Sequence, residues 1–315
     1  MSAAELFPTA QTAARPYLGA IRGVTYAAPD LEAVKAAYVG HLGYQVFSRS
    51  YLDSDLARAW SAPAMAGRPC LTLAPASGEA VFLRFVESPA ARGWRALKTL
   101  GWNATEFVVQ DVDALAARLE GGPFTVIGPP KGLSRFPTIR AMQVIGPFGE
   151  CCYFTQVDHT VGLDLAPALS FVGRVFIVVA AGLDADALFQ PYQAFANATD
   201  PPVATPVKII SDAHGLAPDT LHRHGLVRLP YGTLVELDAY PESALPRLVV
   251  DGELAPGMAM VSFDVEVLGA HDFIGPIARG PAVPGGGMSA CLRGAAGELI
   301  ELIAPLGALS PRIDT

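Results

Sequence analysis

Apolar positions recur along this chain in one order: a strand-like run, a helix with an acidic start, then paired strand-like runs around a glycine. The first copy opens with Ile21 to Ala28, whose β-prone residues predict a strand. Pro29-Asp30 then mark a helix start, and Leu31 to His41 a helix that stops near Gly43. Asp suits that place because its carboxylate accepts hydrogen bonds from the free N–H groups of the first turn. Thr105 to Gln110, followed by Asp111-Val112-Asp113-Ala114-Leu115, repeats the pattern. Val172 to Ala180, followed by Leu183-Asp184-Ala185-Asp186-Ala187-Leu188, repeats it again. A fourth copy, Met260 to Val267 and then Gly269-Ala270-His271-Asp272-Phe273, has the weakest helix.

Each copy also closes alike. Ser77-Gly78-Glu79-Ala80-Val81-Phe82-Leu83, Phe148-Gly149-Glu150-Cys151-Cys152-Tyr153-Phe154, Tyr231-Gly232-Thr233-Leu234-Val235-Glu236-Leu237 and Ala296-Gly297-Glu298-Leu299-Ile300-Glu301-Leu302 all set a turn glycine before an apolar strand. A unit therefore reads strand, helix, then about three strands, and one such sheet is too small to bury both faces. The expected fold is α+β, four βαβββ modules paired into two open cup-shaped barrels. Neighbouring modules are expected to pair, giving an N-terminal domain over 1–157 and a C-terminal domain over 158–315, divided by Asp158 to Leu169.

Gly23-Val24-Thr25-Tyr26-Ala27-Ala28-Pro29-Asp30-Leu31-Glu32, with Tyr38 and Leu42-Gly43-Tyr44, resembles the opening of a vicinal-oxygen-chelate module. Gly297 to Leu302 is similar to the closing strand of one, and the resemblance runs from about Tyr17 to Pro305. That superfamily includes glyoxalases, bleomycin-resistance proteins and extradiol dioxygenases. Four modules in one chain resemble the dioxygenase arrangement, whose second cup carries the metal. The resemblance implies metal ligands from the first strand of each unit and from the closing strand, four residues after the hairpin glycine. The closing positions are Phe82, Tyr153, Glu236 and Glu301; the first-strand positions are Gly23, Ala104, Val175 (or Ile177) and Met260. The dioxygenases need two His and one Glu, and no His lies within two residues of any first-strand position, so ring cleavage is disfavoured. Both carboxylates fall in the C-terminal half, which points to a C-terminal working cup and an N-terminal cup without a metal site.

Alternation along the last unit's first strand turns Met260, Ser262, Asp264 and Glu266 to one face. Asp264 is therefore expected beside Glu236 and Glu301 as a catalytic carboxylate group. Such a group either binds a hard cation, with Glu301 and Glu236 as the metal ligands, or works without metal, one member staying protonated. The alternative for Asp264 and Glu266 is a solvated strand face. His222 and His224 share a strand face, but pairing Val227 with Glu236 across Tyr231-Gly232 turns them away from the cup. His214 lies in a loop, while His41, His159 and His271 read as surface or interface residues. Of the strand-borne arginines Arg22, Arg140, Arg174, Arg228 and Arg293, the last is the preferred carboxylate anchor, with Met260 as a second substrate contact. Gly285-Gly286-Gly287 reads as a turn or a lid over the pocket.

Composition narrows the function classes. With 51% hydrophobic and 17% charged residues, the chain can bury a substantial core. A net charge of −8 and no basic cluster argue against nucleic acid. Apolar runs such as Phe176 to Ala181 are far shorter than the ~20 residues of a membrane span. Met1 to Ala14 lacks the pattern of a signal peptide, so a cytoplasmic protein is expected. Cys70, Cys151, Cys152 and Cys291 lack CxxC spacing and read as buried thiols. The expected function is lyase, isomerase or hydrolase chemistry on a small oxygenated, partly apolar or aromatic metabolite in the C-terminal cup, with a non-standard metal or none. The alternative is a metal-free small-molecule binding or sequestration protein of the bleomycin-resistance type. Catalysis and cofactor both stay open, a divalent metal being one option, and a homodimer through the N-terminal half is compatible with either.

Overall fold

The computed structural model describes residues 16–92, 94–133 and 137–307, and the reading of Met1 to Ala14 lies outside them. The repeat is a physical one. Module one comprises β1 (Ile21–Ala28), α1 (Leu31–Ala37), β2 (Gln45–Tyr51), α2 (Ser54–Ala59), β3 (Pro69–Ala74) and β4 (Phe82–Glu87). Module two comprises β5 (Gly101–Val109), α3 (Val112–Leu119), β6 (Thr125–Gly132), β7 (Arg140–Ile145) and β8 (Cys151–Gln156). Module three runs through β9 (Val172–Gly182), α4 (Ala185–Ala196), β10 (Val203–Pro206), α5 (Lys208–His214), β11 (Leu221–Leu229) and β12 (Thr233–Ala239). Module four has β13 (Gly257–Asp264), β14 (Ala278–Arg279), β15 (Met288–Arg293) and β16 (Leu299–Ala304).

The predicted caps form. Asp30 accepts from the N–H groups of Glu32 and Ala33 at 3.0 and 2.9 Å, Asp111 from Ala114 at 2.9 Å, and Asp184 from Asp186 and Ala187 at 2.9 and 3.2 Å. The fourth module has no helix after its first strand, correcting the reading of 269–273. Gly269, Gly275 and Pro276 break that segment, and His271 packs instead on Tyr17 and Phe195. All four cysteines are free and buried. No helix among the described residues is long and apolar enough to cross a membrane.

The strands form two eight-stranded sheets, ordered β14-β15-β16-β13-β1-β4-β3-β2 and β10-β11-β12-β9-β5-β8-β7-β6. The first sheet joins module one to module four; the second joins module two to module three. Sequence neighbours therefore do not share cups, and the expected division at 157/158 falls inside the second sheet, between β8 and β9. The seams are antiparallel pairings of first strands, β1 on β13 and β5 on β9. The chain crosses from the first sheet to the second after β4 and returns after β12. The two crossovers meet at Thr99 and Leu245. Arg247 ties them together, stacking 5.2 Å from the Trp94 ring centroid and donating to the carbonyls of Met258 (2.5 Å) and Trp102.

Modules one and two, and three and four, touch through helices instead. Tyr38, just past α1, donates its hydroxyl to Glu150 in the module-two hairpin at 3.0 Å, and Tyr192 of α4 donates to Glu298 in the module-four hairpin at 3.0 Å. Each carboxylate also accepts an N–H of its own turn, from Phe148 at 3.0 Å and from Ala296 at 2.9 Å. A Cβ at Gly146 or Gly294 would collide with these carboxylates at 1.9 Å, so glycine there makes their room. The main core, including Tyr26, Phe85, Phe107, Phe154 and Phe263, fills the space between the outer faces of the sheets and the helices. Separate apolar clusters line each sheet's inner face.

Burial pushes the Glu150 carboxyl up from 4.5 to about 8, against the pull of its donors. The folded state then holds a proton that the unfolded state releases, so this site's contribution to stability falls as pH rises from about 5 to about 8. Thermal melts across that range should show a slope that Glu150→Gln reduces. An unchanged slope in the variant would contradict the assignment.

Candidate functional site

Strand alternation and the register of the sheets place two different sets of polar side chains in the two cups. In the first sheet the parallel pairs Thr25↔Arg84 and Ser262↔Glu301 lie on either side of the β1–β13 seam. Glu301 is fully buried. Its oxygens accept from Trp60 Nε1 at 2.9 Å, from Ser289 Oγ at 2.6 Å and from Ser262 Oγ. Arg84 Nη1 lies 3.6 Å from Glu301 Oε2 and 3.4 Å from Thr25 Oγ1, while its guanidinium stacks 5.0 Å from the Trp60 ring centroid. Glu301 is thus saturated by donors, and its work is to hold a cation in place.

Arg84 keeps 14% of its side chain exposed, toward a cavity of about 630 Å³. Phe47, Tyr51 and Phe82 supply apolar wall, Thr72 and Ser50 polar points, and Pro281 to Gly286 the far rim. Phe47 is 65% exposed and Tyr51 73%, with the Phe47 and Phe82 rings 4.7 Å apart. The glycine stretch read as turn or lid contributes to this rim, its Gly285 and Gly286 in the left-handed region at φ 76° and 71°, and buried Val283 anchors it.

The second cup is acidic. Glu106 of β5, buried, accepts from Thr155, and burial lifts its carboxyl to about 7. Glu236 of β12 is raised by burial and by its neighbours Asp238 and Glu106; Asp238 is lifted by burial to about 7. Among the described residues no basic side chain pairs with Glu236 or Asp238, and Asp238 Oδ1 is buried without a hydrogen-bond partner. His224, Glu236 and Asp238 each offer one ligand atom, and these lie within 4.8 Å of one another.

The histidine placement corrects the sequence reading. Leu226, not Val227, opposes Glu236, and His224 opposes Asp238. The hairpin loop is Pro230-Tyr231-Gly232, three residues rather than two, with Tyr231 at φ 60° and Gly232 at 67°. One residue of slip reverses the face of every side chain on β11, and brings His224 beside the carboxylates. His222 lies two residues away, its Nε2 2.9 Å from Ser211 Oγ.

Other expected site residues are dispersed. Glu301 and Glu236 occupy different cups, so they share neither metal nor substrate. Asp264 ends β13 in a two-pronged pair with Arg22, both contacts 2.9 Å, where the strand's end is partly open to solvent. Met260 faces the first cup but is fully buried, its sulfur 3.8 Å from Cys291 Sγ, and makes floor rather than ligand contact. Arg293 is exposed and donates to Gly297 O at 3.3 Å. Arg140 and Arg174 pair with Asp113 at 2.7 Å and Glu79 at 3.3 Å, outside both cups' polar sets. Arg228 shares the face of β11 that carries Leu226 and His224, and donates to Asp164 O at 3.0 Å. The arginine that meets a buried carboxylate in a cup is Arg84, whose signal is the alternation of Phe82-Leu83-Arg84-Phe85-Val86. Asp238 and Glu106 were likewise readable by stepping two residues along a strand from Glu236 and Ala104. Trp60, which arrives from the end of α2, had no such signal.

No family model matches the sequence, and no curated protein matches it. Solved structures do. Glyoxalase I from Zea mays aligns with a TM-score of 0.56 at 14% identity, covering 90% of this chain and 92% of that one. A candidate dioxygenase from Bacillus subtilis subsp. subtilis str. 168 aligns with a TM-score of 0.58 at 12% identity, covering 92% of this chain and 86% of that one.

The chain has the vicinal-oxygen-chelate fold.

At these identities the likeness is one of fold. The ligand positions implied by the vicinal-oxygen-chelate resemblance do not assemble their standard set in either cup. In the first, Gly23 stands beside Phe82, and the register sets Ser262 rather than Met260 beside a Glu301 already surrounded by donors. In the second, the register sets Val179 rather than Val175 or Ile177 beside Glu236, and Glu106 rather than Ala104 beside Tyr153. What the second cup holds is the partial, non-standard group of His224, Glu236 and Asp238.

The two glutamates should respond oppositely to mutation. Glu301→Ala strands a buried guanidinium and three donors, and should cost about 3–5 kcal/mol in urea unfolding. Glu236→Gln in metal-stripped protein removes an uncompensated carboxyl, and should be neutral or stabilising. Its advantage should grow as pH rises above the ordinary glutamate range, because the raised folded-state value makes ionised Glu236 a penalty there.

Proposed function

We propose that the chain binds a small, partly aromatic carboxylate in the cup shared by modules one and four, with no metal in that cup. The observation that carries this reading is Arg84, an immobilised guanidinium at the edge of a cavity with an aromatic wall, whose one carboxylate, Asp53, is engaged in capping α2. Pinned by Glu301 and stacked on Trp60, it presents donors without the entropy cost of ordering a free side chain. A volume near 630 Å³ is within the usual range for small-molecule sites. Phe47, Tyr51 and Phe82 offer faces for a planar ring, while Thr72 and Ser50 can meet a second oxygen. Every oxygen of Glu301 is engaged, which favours binding over acid–base work there and supports the sequestration alternative.

A second reading, chemistry of the lyase, isomerase or hydrolase kind, is favoured by one observation in the other cup. Glu106 and Asp238 are both pushed to about 7, where a carboxyl can give or take a proton at neutral pH. The ligand class distinguishes the two readings.

Calorimetric titration with phenylacetate and with its neutral counterpart phenylacetamide tests the anchor. The acid should bind, the amide at least ~10-fold more weakly, and Arg84→Met should erase the difference, as expected for loss of a charge-assisted pair. Equal binding of acid and amide, or an unaffected Arg84→Met, would sink the proposal. The ligand should be recovered unchanged; turnover seen by NMR and abolished by Glu236→Gln would favour the second reading.

A further inference from the structure

We propose that His224, Glu236 and Asp238 form a site for a divalent first-row transition ion, of the Zn²⁺ or Mn²⁺ class, inside the cup of modules two and three. The site is independent of the Arg84 pocket. His224 and Asp238 are directly opposed residues of the antiparallel pair β11–β12, and Glu236 precedes Asp238 by two, so all three side chains leave the sheet on one face. Their candidate ligand atoms fall within 4.8 Å of one another, close enough to share one ion.

A second observation points to a bound cation. Asp238 is only 3% exposed, and its Oδ1 has no hydrogen-bond partner. Among the described residues no Lys or Arg reaches either carboxylate, whereas Glu301 in the other cup has a guanidinium and three donors. A buried acceptor left unmet is costly, and a cation at this point would satisfy it.

The donor set selects the ion. One imidazole with two carboxylates suits Zn²⁺, Mn²⁺ or Fe²⁺, whereas Mg²⁺ and Ca²⁺ prefer oxygen alone. Three protein ligands leave coordination positions open toward the cup. Thr205 Oγ1 lies 2.7 Å from His224 Nε2, the kind of outer partner that fixes a ligand ring's tautomer and orientation. Of the fold's own ligand positions only Glu236 takes part. The other two ligands come from β11 and from farther along β12, so the site is built within one module instead of across two.

The test uses the full chain, stripped with EDTA and titrated with ZnCl₂, MnCl₂ and MgCl₂ by calorimetry, and with CoCl₂ by visible absorption. Zn²⁺ should bind at about one ion per chain with a Co²⁺ ligand-field band, and Mg²⁺ at equal concentration should not compete. His224→Ala and Asp238→Asn should each weaken Zn²⁺ by at least ~10-fold. Thr205→Val, which removes only the outer partner, should weaken it by about 10-fold. If the ligand variants do not fold, the wild-type Co²⁺ spectrum and Thr205→Val still decide. No ligand-field band with no heat of Zn²⁺ binding would overturn the proposal. So would stoichiometric binding that all three variants leave unchanged.

Discussion

The antiparallel contact between first strands of modules distant in sequence is the constraint on which the rest of this structure depends. β1 lies on β13 and β5 on β9, so the chain makes one half of a cup, builds a complete second cup, and returns to finish the first. A module's sheet needs a partner edge, and each seam provides one while leaving the concave face for side chains. The helices and hairpins then hold sequence neighbours together, through Tyr38 with Glu150 and Tyr192 with Glu298. Two kinds of joint, sheet and helix, thus connect each module to two others.

The same scaffold carries opposite electrostatics in its cups. In one, a buried carboxylate is neutralised by an arginine and three neutral donors, and the cation is what a ligand meets. In the other, three carboxyls gather with histidines, and among the described residues no Arg or Lys pairs with them, so protons or a metal ion must balance them. Equivalent closing-strand positions, Glu301 and Glu236, therefore have unlike roles. One is a structural acceptor whose loss should destabilise the protein; the other is a charge that the apo protein would be easier without.

Much of the scaffold was readable from residues alone. The Asp30, Asp111 and Asp184 caps, the turn glycines and the alternating runs are local signals, each caused by a backbone group needing a partner or a strand needing two faces. The fourth helix failed because a weak local signal met Gly269, Gly275 and Pro276. The site was less readable. Strand position singles out Glu236 and Glu301 but not their separation into two cups; alternation alone sets Asp264 in a group it never joins, and one residue of hairpin register turns His224 the other way.

The sequence by itself determined the repeat, the module's order of elements, and which closing strands carry carboxylates, since all of these rest on patterns local to one module. Tertiary structure decided which modules share a sheet, because any first strand offers similar backbone donors and acceptors and only the packed whole selects among them. It therefore also decided that Arg84 meets Glu301 across more than two hundred residues, and that His224 meets Asp238. Chemistry in this fold is made by strand neighbours, and strand neighbours are chosen by packing.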